Sequence, residues 1–399
     1  MKILLCNKFI FNRGGAERYL LDLRDGLRER GHQVIDFAVR NANNLPSEYS
    51  DYFVRSPDLK HAFDSIYSFS AKRNITRLIK DSRPDIAHIH NIYHQISSSI
   101  LHPLRRSGIP VVMTMHDYKF VCPNYSLFVN NSVCQKCIGG NYHNAVKYRC
   151  LKDSYLISLL AYLEMIFCKI SKMYERNVDL FIAPSKFMFN KMIEAGISRK
   201  KLRYLPYIIR KPLNGYDFSK GEYILYMGSL TDKKGVDILI ESAQNFRHIP
   251  IKIAGDGHKR NELKFQVKTM GLTNIEFLGH KSKEDLAGII KNAFFLVVPS
   301  KWPEVSGLVV YEAFALGKCV VASRMGGIPE LIDDEVNGLL FESGNVDDLS
   351  RKIRFLLDNP GKRKDFEKAA FDKFSKINDE KSHYQELISI YNELINDYK

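Results

Sequence analysis

Short apolar runs rich in Leu and β-branched residues recur along this chain, with amphipathic helical stretches between them. They occupy residues 2–6, 33–39, 85–89, 110–115 and 179–183, and resume at 223–227, 251–254, 275–278, 294–298 and 319–322. A strand that reaches the next strand through a helix re-enters the sheet in the same direction, so this alternation predicts parallel sheets wound by right-handed crossovers. Runs that are apolar at nearly every position suit strands covered on both faces. The fold class is therefore doubly wound α/β. One core of that kind does not absorb 399 residues, and two domains are expected. The periodic pattern breaks at 206–217, where two prolines and an Asn-Gly pair fall within twelve residues. The expected division is 1–206, 207–378 and a last amphipathic helix over 379–399.

Charge separates the two halves. Residues 1–210 hold 32 Lys and Arg against 17 Asp and Glu, while 211–399 hold 27 against 28. A basic half suits nucleic acid, an anionic membrane surface or an anionic substrate. Hydrophobic residues make up 45% of the chain and charged residues 26%, which excludes a disordered or fibrous protein. The opening residues lack a cleavage site and run directly into Gly14-Gly15, so no signal peptide is expected. The apolar run at 156–170 is too short to span a bilayer and contains Glu164. A cytoplasmic protein with reduced cysteines follows as the expectation.

The chemistry concentrates at 303–330. Glu304 and Glu312 are separated by seven residues around Ser306 and Gly307, where a helix is predicted to open. The first amides of a helix have no intrahelical partner, and with the helix dipole they suit a phosphate. A carboxylate on either side of such a seat can accept from hydroxyls, an arrangement that fits a nucleotide sugar. Taken alone, the same spacing equally describes two surface glutamates on a strand–turn–helix unit.

The flanking residues add to that spacing. Pro303-Glu304, then Ser306-Gly307, Glu312-Ala313 and Gly326-Gly327-Ile328-Pro329-Glu330 together resemble the donor-site signature of glycosyltransferase family 4. The resemblance runs from Gly14-Gly15-Ala16-Glu17 to the C-terminal helix. It implies the GT-B architecture, with two doubly wound domains facing each other across a cleft, and a last helix that crosses back to the first domain. It implies transfer of a sugar, with retention of configuration, from a nucleotide-diphosphate sugar to a hydroxyl. The acceptor would be a lipid-linked or growing cell-surface glycan. By the same resemblance Glu304 contacts the hydroxyls of the transferred sugar and Glu312 holds the ribose. The amides of Gly307 and Leu308 take the diphosphate with Lys234. In the family, the loop after the first strand of the second domain reads Gly-Arg and then Lys-Gly. This chain keeps Lys234-Gly235 but has Ser229 in place of the arginine. Gly255 and Gly257 correspond to a Gly-x-Gly lining the nucleotide, and the backbone at 278–280 to the base edge. Gly14 and Gly15 would face the donor phosphates, with tight helix–strand packing as the alternative reading of both.

His116-Asp117 ends an apolar run, where α/β sheets collect ligands. A histidine there can exchange protons with a sugar hydroxyl near neutral pH, and the family's histidine reaches toward the transferred sugar. His88 reads as core, and His90 and Asn91 as cleft lining. Within an insert spanning 118–153, Cys122, Cys134, Cys137 and Cys150 offer four thiolates for a structural zinc, with free thiols as the alternative. Cys6, Cys168 and Cys319 read as core. A single helix over 154–175 is expected, with an apolar face and with Lys169, Lys172 and Arg176 on or near its polar side; it reads as a layer of the first domain, with a membrane-surface contact as the alternative. No acidic pair with metal-binding spacing flanks the phosphate seat, so no catalytic metal is implied. The basic face of the first domain suits an anionic membrane, placing the protein peripherally on its cytoplasmic face. A sugar-nucleotide epimerase of the same fold is the enzymatic alternative. A basic nucleic-acid binder is the other, against which the neutral second half argues.

Overall fold

The computed structural model describes residues 1–55, 63–210 and 221–398; residues 211–217 of the expected break lie outside these. The chain divides into two compact units.

The first unit comprises Met1–Leu127, Cys134–Ile208 and Glu380–Lys399. Its strands are β1 (Lys2–Cys6), β2 (Gln33–Phe37), β3 (Ile86–Ile89) and β4 (Val111–Thr114). After a two-stranded hairpin of β5 (Phe128–Val129) and β6 (Ser132–Val133) come β7 (Leu180–Ala183) and β8 (Leu202–Tyr204). The hairpin groups with the second unit. The sheet is parallel in the order β2-β1-β3-β4-β7-β8. Every residue of β3, β4 and β7 is buried, as expected of strands covered on both faces.

The second unit holds β9 (Tyr223–Met227), β10 (Ile251–Ala254), β11 (Ile275–Gly279), β12 (Ala293–Val298), β13 (Val320–Ser323) and β14 (Gly338–Phe341). Their order, β11-β10-β9-β12-β13-β14, is again fully parallel. Each sheet reverses its winding beside its first strand, between β1 and β3 and between β9 and β12. The carboxyl edge at such a switch point is where α/β sheets bind ligands.

Two edge strands were not expected. β8 reads Leu-Arg-Tyr with only its leucine buried, too short and too polar to stand out as an apolar run. β14 starts directly after Asn337 at Gly338, a pair that reads as a turn. The helix expected over 154–175 is in fact two helices, Tyr155–Ile170 and Met173–Asn177. Lys172 adopts a left-handed conformation (φ 50°, ψ 39°) between them, which no glycine or proline in the sequence signals.

The last helix, Glu380–Asp397, belongs to the first unit and buries His383, Tyr384, Leu387, Ile390, Tyr391 and Leu394. That spacing follows one helical face. Tyr384 Oη donates to the Asp22 carbonyl at 3.0 Å. A Cβ at Gly26 would lie 1.9 Å from that hydroxyl, so a glycine is what lets the ring approach.

Candidate active site

The site residues of the second unit collect at the carboxyl ends of β9, β10 and β12. Backbone bonds join the loops that leave these strands: Gly228 N–H donates to Ala254 (3.0 Å), Leu230 N–H to Asp256 (2.9 Å) and Gly255 N–H to Gly279 (2.8 Å). A Cβ at Gly255 would fall 1.8 Å from the Gly228 carbonyl oxygen, and one at Gly257 2.3 Å from that of Leu230. Close approach of two protein backbones therefore requires both glycines, independently of any ligand.

Lys234 lies at the end of a single turn, Asp232–Lys234, after β9. Its Nζ donates to Glu304 Oε1 at 2.7 Å. The same oxygen accepts from Ser300 Oγ at 2.5 Å. Burial pushes the Glu304 carboxyl up, but the Lys234 charge and hydrogen bonds from Lys234, Ser300 and Trp302 outweigh it and hold the group below its ordinary value. Glu304 is an anion at neutral pH. Its backbone is fixed as well: its carbonyl accepts from Gly327 N–H at 2.8 Å, and a Cβ at Gly326 would lie 2.2 Å from that carbonyl oxygen. The Gly326-Gly327 pair thus wraps the Glu304 backbone. Lys233 turns its Nζ over the Trp302 ring, 4.2 Å from the centroid, and its carbonyl accepts from Lys301 N–H at 2.8 Å.

Beyond Glu304 the chain passes buried Ser306 and enters the helix Leu308–Ala315 through Gly307, at φ 95° and ψ 59°. This left-handed entry is open to glycine at little cost, and it sets the first amides of the helix free of intrahelical partners. Glu312 lies in the second turn and is buried. Lys234, Glu304, Ser306, Gly307, Leu308 and Glu312 are thus set by two adjoining loops and one helix. Ser229 is exposed, and its carbonyl accepts from Tyr226 Oη at 2.9 Å and from Thr231 N–H at 3.2 Å. Thr231, in the same loop, buries its hydroxyl without a hydrogen-bond partner among the described residues. The sequence reading missed it.

In the first unit Gly14 and Gly15 are exposed at the start of the helix Gly15–Glu29. Gly14 is extended (φ −167°), a conformation open to any residue. His116 follows β4 and differs from the expectation of a histidine ready for proton exchange near neutral pH. Its Nδ1 is 2.5 Å from Tyr207 Oη and its Nε2 is 2.7 Å from His90 Nδ1. Burial brings it down to about 3, so the ring is neutral with both nitrogens occupied. His90, expected to line a cleft, is fully buried and stacks between His88 and His116, with centroids 4.4 and 5.1 Å away. His88 is core, bonded to Tyr391 Oη at 2.6 Å and Thr114 Oγ1 at 2.7 Å.

A buried ion pair went unseen in the sequence. Lys119 Nζ donates to Glu164 Oε2 at 2.7 Å, and His94 Nδ1 lies 3.1 Å from the same oxygen. Burial opposes ionisation of Glu164, yet Lys119 and His94 bring it down to about 2. The partners stand 45 residues apart in sequence, with no local pattern linking them.

The zinc expectation finds no support. Cys122, Cys134, Cys137 and Cys150 form no disulfide, and among the described residues no group of three or more His, Cys, Asp or Glu side chains is placed to hold a metal ion. Burial, then the neighbouring sulfurs, push Cys137 up to about 12. Burial likewise raises Cys150 to about 11. Cys137 packs with Tyr142 and Met165 in a small apolar cluster. Cys6 and Cys319 are core, and Cys168 lies on the buried face of the helix Tyr155–Ile170.

Residues 13–209 match the family model described as Glycosyltransferase Family 4, and residues 215–373 match that of Glycosyl transferases group 1. The chain belongs to glycosyltransferase family 4. This family 4 enzyme transfers sugar from a nucleotide-diphosphate sugar. It is 27% identical over 371 residues to an uncharacterized glycosyltransferase of Methanocaldococcus jannaschii, covering 91% of this chain and 90% of that one. An uncharacterized 42.6 kDa protein in the cps region of Klebsiella pneumoniae is 28% identical over 83% of this chain and 87% of its own length. The crystal structure of Anabaena HepE in complex with UDP-glucose superposes with a TM-score of 0.73 at 19% identity, covering 99% of this chain and 100% of that one. That likeness gives the GT-B type of fold.

Proposed function

We propose that this enzyme transfers a hexose, with retention of configuration, to a hydroxyl of a lipid-linked or growing cell-surface glycan. The observation that carries the reading is the Lys234–Glu304 pair at 2.7 Å, placed one short segment before the helix mouth at Gly307. The Lys234 ammonium and the amides of Gly307 and Leu308 bind the diphosphate, Glu312 accepts from the ribose, and Glu304 accepts from hydroxyls of the sugar. As the bond from the anomeric carbon to the phosphate oxygen breaks, its electron pair leaves with the diphosphate, where fixed donors stabilise the growing charge. The acceptor oxygen bonds to the anomeric carbon on the same face, and its proton passes to the departing phosphate oxygen. His116 positions the sugar only if Tyr207 or His90 releases one of its nitrogens.

The cps-region relative supports a cell-surface glycan as product, and HepE was crystallised with UDP-glucose, which makes a uridine diphosphate sugar the first donor to test. The basic surplus of residues 1–210 supports work at the cytoplasmic face of an anionic membrane. Among the described residues no helix is long and apolar enough to cross a membrane.

A thermal-shift panel of nucleotide sugars tests the donor. A ligand at a hundredfold excess over its Kd adds about 2.7 kcal/mol, which raises a transition of a domain this size by roughly 5–11 °C. One sugar nucleotide should give that shift and its free sugar none; no shift from any of them would remove the proposed seat.

Ser229→Arg is expected to raise kcat by roughly threefold to tenfold, the worth of about one added charged hydrogen bond to the leaving group. The position is exposed, so the longer side chain meets no steric barrier in the unit. An unchanged kcat would mean that a cation already present neutralises the diphosphate in full.

A further inference from the structure

The helix Tyr155–Ile170 is more apolar outside than inside. Its buried face carries Ser158, Ala161, Glu164, Met165 and Cys168. On the opposite face, at helical spacing, lie Leu156, Leu160, Leu163, Phe167 and Ile170. Leu156 is 75% exposed and Ile170 78%. Water-facing helices ordinarily have the reverse pattern. The apolar surface continues off the helix: Tyr67 lies 5.9 Å from Phe167 and 5.2 Å from Phe69, which is itself 73% exposed.

Charge identifies the occupant. Lys147, Arg149, Lys152, Lys169, Lys172 and Arg176 flank the helix and are all exposed, against exposed Asp153 and Glu175. The helix's own acid, Glu164, is buried and paired with Lys119. An apolar face with a cationic rim fits the interface of an anionic bilayer, where the face enters the acyl boundary and the rim meets headgroups. A seam for a second copy of the chain would gain nothing from like-charged rims. Phe69 also widens the patch beyond one helix, as a planar surface demands.

We propose that this outward face is a membrane-insertion element, lying in the plane of an anionic lipid surface. The inference rests on the membrane-side acceptor proposed above, and it identifies which residues enter the lipid.

The test is co-sedimentation of the full chain with phosphatidylcholine vesicles, with and without about a third phosphatidylglycerol. The wild type should bind the anionic vesicles and leave the neutral ones. Leu156→Ser with Ile170→Ser should lower the partition coefficient by at least roughly tenfold, two side chains' worth of insertion. Leu163→Trp supplies an independent signal: its emission should move to the blue on anionic vesicles, whereas the chain's other tryptophan, Trp302, is already buried. Equal binding by the double variant, no binding by the wild type, or an unmoved Trp emission each overturns the proposal. So does a wild-type dimer that the double variant disperses, which would assign the face to a second copy. Donor-dependent stabilisation, measured on the same samples, reports on the nucleotide-sugar seat alone, so loss of that reading is seen separately from loss of this one.

Discussion

Glu304→Gln is expected to lower kcat by roughly two to three orders of magnitude, a loss comparable to removing one fixed polar group that acts in the transition state. Donor affinity should hold or rise. The carboxylate is held by Lys234 at 2.7 Å and Ser300 at 2.5 Å, and glutamine keeps the shape while removing the charge. Lys234 then loses its anionic partner and turns its full charge to the diphosphate. Glu312→Ala should do the opposite. It removes an acceptor used equally in the ground state and the transition state, so donor affinity falls by about tenfold while kcat is spared. Initial rates over a donor titration, with the Kd measured separately by calorimetry, separate the two parameters. If both variants lose kcat and affinity alike, the division of labour between the two glutamates is wrong. The alanine variant at 304 is a poorer test, because it leaves a cavity and an unpaired lysine in a partly buried site.

The strands of both sheets were legible because parallel strands covered on both faces must be apolar at nearly every position. β3, β4 and β7 are buried throughout and stand out in the sequence for that reason. An edge strand has no such requirement, and β8 with its single buried residue carries no signal. The segment carrying Glu304, Gly307 and Glu312 was legible because it is local: the three lie on one turn and one helix. What the sequence withheld was who meets whom across the sheet. Lys234 and Glu304 stand 70 residues apart, and their pairing follows from the contact between the loops after β9 and β12. Gly255 and Gly257 invited a ligand-facing reading, yet their contacts are to Gly228 and Leu230, since a close approach by protein backbone demands glycine as strictly as one by a phosphate. The four insert cysteines are ambiguous for a related reason. Cysteine in sequence is equally suited to metal binding and to packing, and only the fold decides.

The first unit should lose stability steeply below about pH 6.5, well before the second. His88, His90 and His116 are buried in one stack. His383 lies against Tyr19, whose hydroxyl is 3.4 Å from its Nε2. Burial lowers His88 and His116 to about 3 and His383 to about 4, and takes His90 well down in the same direction. Each folded-state value lies below that of the unfolded chain. Stability is therefore complete above the unfolded value near 6.5, and as pH falls the unfolded chain takes up protons that the folded unit refuses. One such histidine costs up to about 1.4 kcal/mol per pH unit. Several together would exhaust a typical domain's 5–15 kcal/mol within roughly two units. The second unit's histidines, His248, His258 and His280, are exposed. Its Glu304, whose folded value is lowered, keeps its contribution until the pH falls below the ordinary carboxylate range. Burial raises Glu367 of the second unit to about 7, so that folded unit takes up a proton as pH falls and gains stability. Scanning calorimetry from pH 8 to 5 should therefore show one transition moving down by tens of degrees while another moves modestly up. A first-unit transition that is level between pH 7 and 5 would mean that the stack opens and protonates without unfolding. In that event His116 is free to leave Tyr207 and reach a sugar after all.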